Sequence, residues 1–383
     1  MSETTAEQLD DALLSGEEEH EEPRLTRMKR GLKFVRRRKK FVAGLCIVVF
    51  FYLIAIFADF LAPYDYRSQL RAEPGAPPNE IHFRDAEGGW HARPFIYARR
   101  MVDPLQRLYA EDQRRAYPLA FFTKGYSYKL FGLFPTSRHL FGLSGEGGAD
   151  EPRAQLLGTD SVGRDRFSRL LIASRFSLIV GPVGTLLASA LGIFLGCIAG
   201  FSGRLVDAVL MRVADAMMAL PALVLILAAR AAFPLKLPPA HAGLLMISIF
   251  ALIGWAEMAR LTRGLVLALR RREFVLAAES LGLSKARILF RHILPNAMRP
   301  LLVQLTVMLP FFLLTETALS FFGAGPQSPE ASWGNMLAEA GDSNLLARQP
   351  FTLLAPAFAI FIFVLGVRLL SDGLKAKTER GIS

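Results

Sequence analysis

The chain has 383 residues, is 52% apolar and carries a net charge of +11, with a mean hydropathy of +0.31. That apolarity lies near the upper edge for a soluble domain, and several windows of about 20 residues hold almost no charge, enough to cross a hydrocarbon core. No Cys/His finger or aromatic-basic RNA motif supports nucleic acid as a partner, and Cys46 and Cys197 lie singly inside apolar runs, where packing accounts for them.

Residues 1–40 read as a cytoplasmic tail, acidic at Glu17–Glu19 and strongly basic at Arg36–Lys40. The run 41–62 is longer than the apolar core of a signal peptide, so it is expected to be an uncleaved first transmembrane helix with its basic flank inside. A polar segment, 63–172, follows, rich in aromatics, Arg and Pro. Further apolar runs at 176–200, 213–233, 242–259, 301–322 and 351–370 make six spans and place both termini in the cytoplasm. The fold class expected is therefore an all-α polytopic membrane protein, with a long extracytoplasmic insertion after the first helix and a five-helix core over 173–383.

Charge tests this alternation. The loop 260–300 holds Arg260, Arg263, Arg270, Arg271, Arg272, Lys285, Arg287, Arg291 and Arg299 against Glu273 and Glu279, and the tail adds Lys375, Lys377 and Arg380. The connections 234–241 and 323–350 carry only Lys236 and Arg348. This agrees with a positive inside. The sixteen basic residues of 63–172 do not overturn it, because loops beyond about 60 residues translocate largely regardless of charge.

Between two apolar runs stands LAAESLGLSKARILFRHILP, residues 276–295. EFVLAAESL is a good helix former, Gly282 suits a left-handed cap, Ser284 can cap KARILFRHI, and Pro295 is expected to end that helix. Helical spacing puts Phe274, Ala277, Ala278 and Leu281 on one face of the first helix; the second offers Ile288, Leu289 and His292. Two uses fit: an amphipathic linker lying on lipid headgroups, or a rigid docking element for a soluble partner.

AAESLGLSKARILFRHILPNAMRPLL closely resembles the cytoplasmic Glu-Ala-Ala loop of ABC importer permeases, with Ala277, Ala278, Gly282, Leu294 and Pro295 in register. Leu276 stands where that family has its Glu, and His292 where it has an Ile. RHILPN is similar to the oligopeptide, dipeptide and nickel branch. So are LLGTDSVGRDRFSRLLIASRFSLIVG (156–181), MRVADAMMALPALVLIL (211–227) and ALSFFGAGPQSPEASWGNMLAEA (318–340). The likeness covers 41–62 and about 156–378. It implies a type I importer permease fold in a bacterial inner membrane, pairing with a homologous permease as a heterodimer. It also implies two cytoplasmic ATPase subunits that bind ATP and Mg, and an extracytoplasmic binding protein. Residues 273–295 would couple to the ATPase, through Ala277, Ala278, Gly282, Ser284, Arg287, His292, Leu294 and Pro295. The implied cargo is oligopeptides or dipeptides, with nickel, oligosaccharide or modified peptide as alternatives.

No GxxxxGK[ST] cradle, GxSxG elbow or metal-ligand spacing among the six histidines is present, so this chain is expected to hold no cofactor and perform no catalysis. The glycines at Gly142, Gly145, Gly147 and Gly148 read as a flexible turn. Intramembrane charges are functional candidates. Glu316, with Thr315 and Thr317, could line a passage between subunits or serve helix–helix hydrogen bonds. Trp333 and Asn335 could sit near an outer gate, or Trp333 could anchor in headgroups. Arg212 and Asp215 are spaced for a local ion pair, Asp207 for the headgroup level, and Glu257 for Arg260 or Arg263; Arg230 and Arg368 can snorkel. Two rival classes remain. An ion-coupled secondary transporter would need paired broken spans and an inverted repeat, of which no repeat is evident. A scaffold would use the loop for docking alone.

Overall fold

A computed structural model describes residues 39–130, 132–143, 152–234 and 236–379. The acidic and basic blocks of 1–38, the glycines at Gly145, Gly147 and Gly148, and Arg380 lie outside them. Among the described residues, five helices are long and apolar enough to cross a membrane: Lys39–Ile56, Arg166–Phe201, Pro239–Leu269, Lys285–Phe321 and Ala355–Gly373. A sixth candidate is a bent pair, Arg204–Ala219 and Ala222–Ala231, folded by 90°. Leu220–Pro221 forms the corner, since proline at 221 has no N–H to continue the helix and holds the backbone extended at ψ 116°. In chain order these are the first to sixth spans, with the bent pair third.

The second and fourth spans run parallel and in close contact, and their sequence explains why. Gly184, Ala188, Gly192, Gly196 and Gly200 recur every four residues and form one stripe. Against it lie Phe250, Trp255, Met258, Ala259, Thr262 and Val266 of the fourth span. A Cβ on Gly192 would fall 2.6 Å from the carbonyl oxygen of Trp255, and one on Gly196 2.5 Å from that of Ala259. Within a bilayer, where lipid tails are as apolar as leucine, such small-residue seams let backbones approach and hold helices together. The first and sixth spans use the same device at Gly44 and Gly366, then close with Phe51 edge-on to Phe363 at 5.7 Å.

The second helix starts at Arg166, earlier than the apolar run suggests, and its 36 residues extend about 54 Å, well beyond a core of about 30 Å. Asp165 sets that start by accepting from the Ser168 N–H at 2.7 Å. The fifth helix also overruns its expected limits. Pro295 does not end it: residues Leu289–Ile293 form a π turn, which relieves the missing proline N–H, and Leu294–Phe321 carries on as α-helix. The Asn296 side-chain amide donates to the His292 carbonyl there at 2.6 Å.

All-α holds for the spans and not for the insertion. Four antiparallel strands, β1 (His82–Arg84), β2 (Trp90–Asp103), β3 (Leu108–Phe121) and β6 (Phe141–Leu143), pair in the order β1-β2-β3-β6. Strands β4 (Lys124–Leu130) and β5 (Phe134–Arg138) form a separate hairpin. Only Phe95, Ile96 and Tyr97 of β2 are buried, a core too short to stand out from a charged ribbon of 14 residues. The insertion is fastened to the spans by hydrogen bonds from Leu140 N–H to the Phe60 carbonyl and between His139 Nδ1 and the Asp59 carbonyl.

Candidate functional site

The turn between the fourth and fifth spans is a rigid corner. Helix Glu273–Ser280 ends with Gly282 at φ +74°, where no atom lies within 4 Å of a would-be Cβ, so backbone conformation and not space calls for glycine. Leu283 N–H donates to the Ala278 carbonyl at 3.2 Å and Gly282 N–H to that of Glu279 at 2.9 Å, the paired bonds of a Schellman cap. Ser284 then caps the next helix, accepting from Arg287 N–H at 3.4 Å. Both caps agree with the sequence.

The faces are rotated from expectation. Ala278 points inward with Val275, Ile288 and Ile293, all packed with Cys197 and Val266 of the second and fourth spans. Phe274, Leu276, Ala277 and Leu281 are exposed on the first helix, and Phe290 on the second. Ile288 is therefore an anchor and not part of the offered surface, while His292, Leu289 and Leu294 are half-buried. Gly282, Ser284, Arg287 and Pro295 are exposed as well. Sequence spacing missed the anchors because a corner packed on one side and bare on the other has two apolar faces. Only contact tells them apart.

The corner is also tied at its root. Arg270 donates to the Gly200 carbonyl at 3.0 Å and lies 5.0 Å over the Phe201 ring. Arg263 grips Asp207 with two hydrogen bonds of 2.5 and 2.6 Å, and Arg260 binds Asp215, so third and fourth spans are clamped by two ion pairs. These corrected pairings leave Arg212 out of the Asp215 bond and give Glu257 a different partner, the amide of Gln304 at 2.7 Å. Beside that amide, a cavity of about 400 Å³ opens at the bend of the third span, lined among others by Met217, Leu220, Gly254, Met308 and Phe311.

The side chains of the second predicted group are engaged within the bundle. Glu316 is buried, receives Ser320 Oγ at 2.7 Å and has no partner for its other oxygen among the described residues. Thr315 and Thr317 spend their hydroxyls on carbonyls four residues back, at 2.8 and 3.0 Å. Trp333 is 1% exposed, donates to the Leu170 carbonyl at 3.3 Å and meets Phe51 edge-on at 5.9 Å, so it is a core residue and not a headgroup anchor. Asn335 closes a capping box with Ser332. Arg230 does not snorkel; it is buried and donates to carbonyls of Ala324, Phe233 and Pro234.

What this end of the bundle does hold is a buried ionic lattice. Arg164 meets Asp160 at 2.5 Å, Arg166 meets Glu339 at 3.2 Å and Gln349 at 3.0 Å, and an exposed pair, Arg67 with Glu330 at 2.6 Å, lies at its rim. The stretches 156–169 and 323–349, separate in sequence, are thus one locked unit. Burial raises the Asp165 carboxyl to about 6 and raises that of Glu339, the latter against the pull of Arg166. The Glu330 hydrogen bond, on top of burial, helps push the Tyr66 hydroxyl up to about 12.

One cluster escaped sequence spacing altogether. Strand pairing brings Glu80, His82 and Glu111 together, one ligand atom of each within 4.8 Å of the others. Glu80 and His82, two apart, were the visible half of that signal; Glu111 arrives only through the sheet.

Comparison with known proteins places these features. Residues 192–383 match the model of the binding-protein-dependent transport system inner membrane component, and residues 26–78 that of the N-terminal TM domain of oligopeptide transport permease C. The chain is 37% identical over 230 residues to the oligopeptide transport system permease protein of Bacillus subtilis, covering 59% of this chain and 72% of that one. It is 38% identical over 218 residues to the dipeptide transport system permease protein of Alkalihalophilus pseudofirmus, covering 57% and 69%. With the dipeptide transport system permease protein of Bacillus subtilis it shares 34% over 218 residues, 57% and 66% of the two chains.

Proposed function

We infer the function from one premise: the chain belongs to the family of binding-protein-dependent transport system inner membrane components. It is a multi-pass inner-membrane permease subunit of an ABC importer, in which ATP is hydrolysed by a separate subunit. Its cargo is oligopeptides or dipeptides, released to it by a binding protein on the side of the β insertion. A homologous permease completes a heterodimer, and two cytoplasmic ATPase subunits bind ATP and Mg. Both termini and the corner 273–295 face the cytoplasm.

The observation that carries this reading is the build of the corner. It offers Phe274, Leu276, Leu281 and Phe290 outward, while Val275, Ala278, Ile288 and Ile293 fasten it to the spans. An exposed apolar knob on a capped helix pair fits a groove in a soluble partner. Because Lys285–Phe321 is continuous, a partner that moves the knob moves the fifth span, and the glycine seam makes second and fourth spans follow as a pair. ATP-driven closure of the partner then shifts the bundle between two access states, to the extent that the partner binds them differently. The test is to replace 277–290 by a flexible linker of equal length. Membrane insertion should persist while ATP-driven peptide uptake disappears; uptake at the normal rate would sink the coupling assignment.

A further inference from the structure

The β insertion carries a cluster of metal-ligating side chains apart from the coupling corner. His82 opens the edge strand β1, Glu80 lies two residues before it, and Glu111 reaches across β2 from β3. His82 Nε2 and Glu111 Oε2 are 3.0 Å apart. The imidazole is held against a rigid wall, stacked on Phe95 at 5.9 Å and 5.2 Å from the Tyr97 ring, both side chains buried in the sheet.

Two carboxylates this close repel each other unless a cation or proton lies between them. His82 pairs with Glu111 and the field of Arg99 reaches it, but among the described residues no Lys or Arg donates to either carboxylate. Arg99, the cross-strand neighbour of Glu111, is committed to Glu73, Asn79 and Gln155. Glu80 makes no hydrogen bond or ion pair among the described residues. One imidazole nitrogen and two carboxylate oxygens are a donor set for a borderline-soft divalent ion, where hard ions would favour oxygens alone. Bonds of about 2.0–2.2 Å put tetrahedral donors roughly 3.3–3.5 Å apart, so the trio closes by a small swing of the glutamates.

We propose that Glu80, His82 and Glu111 form a zinc-class divalent-cation site that pins edge strand β1 to β3 and leaves a coordination position open to solvent. The proposal concerns the insertion alone and does not depend on the transport reading.

The test uses full-length protein in detergent and Zn²⁺ as the probe, with excess Mg²⁺ present to occupy non-specific carboxylates. Wild type should bind one saturable equivalent. His82→Gln, Glu80→Gln and Glu111→Gln should each weaken that equivalent by about tenfold or more, since even outer-shell changes cost 10–100-fold. His91→Gln, which removes the pair with Asp85 and an edge contact to Phe95 but none of the three donors, should leave it intact. X-ray absorption on zinc-loaded wild type, which needs no variant to fold, should show a single imidazole with oxygen neighbours. Binding unchanged in His82→Gln, loss in His91→Gln alone, or a spectrum with several imidazoles or none would overturn the site.

Discussion

Replacing Gly196 by alanine tests the seam between second and fourth spans. The new Cβ would stand 2.5 Å from the Ala259 carbonyl oxygen and 2.6 Å from Thr262 Cβ, both held on a packed helix. Carbon atoms prefer about 3.5–4.0 Å, so the helices must part locally by about 1 Å, which forfeits a quarter to a half of each contact. Overpacking of this kind costs about 1–3 kcal/mol, and alanine returns about 1 kcal/mol through helix propensity. The net loss is up to about 2 kcal/mol, or up to about 8 °C in melting temperature for a domain of this size. Gly264→Ala is the matched control: nothing lies within 4 Å of its would-be Cβ, so it should raise the melting temperature. Thermal melts of both variants in detergent decide the matter. If Gly196→Ala raises the melting temperature as far as Gly264→Ala does, the seam is not tight and the packing argument fails.

Leu281 is 81% exposed, and burying a leucine is worth about 1.5–3 kcal/mol, so Leu281→Asp should weaken ATPase association at least about tenfold without altering the permease's own melting. Co-purification with the partner ATPases reads this, and full retention of binding would remove Leu281 from the interface. Arg166→Ala leaves Glu339 without its guanidinium at a buried site, and a loss of about 3–5 kcal/mol is expected in the same melts. Asp165 sets a pH dependence. Its folded carboxyl titrates at about 6 against an ordinary 3.8, so the folded state holds the proton more tightly and this group favours folding below about 4. That contribution is lost as pH rises through 6, up to about 3 kcal/mol. Asp165→Asn keeps an oxygen to cap Ser168 and should flatten the melting profile between pH 4 and 6; an unchanged slope would assign it to other carboxyls.

Five of the six expected spans and the two caps of the corner were legible in the residues, because both are local. A window of apolar side chains long enough for a bilayer needs no partner to be recognised, and Gly282 and Ser284 answer to backbone geometry within a few positions. The likeness of 276–295 and 318–340 to a permease family was legible for the same reason. Three things were not. Ala278 and Ile288 face inward, Trp333 and Glu316 lie inside the bundle, and the insertion is a sheet that gathers Glu80, His82 and Glu111. Each depends on which distant surface a side chain meets: the second span for Ala278, Leu170 and Phe51 for Trp333, β3 for His82. The sequence by itself determined that this chain crosses a membrane and bends sharply at one polar corner, since hydrophobic length and cap chemistry act over a single turn or a single run. Which face of that corner is bare, and which charges are locked away, was decided only when helices and strands far apart in sequence were packed against one another.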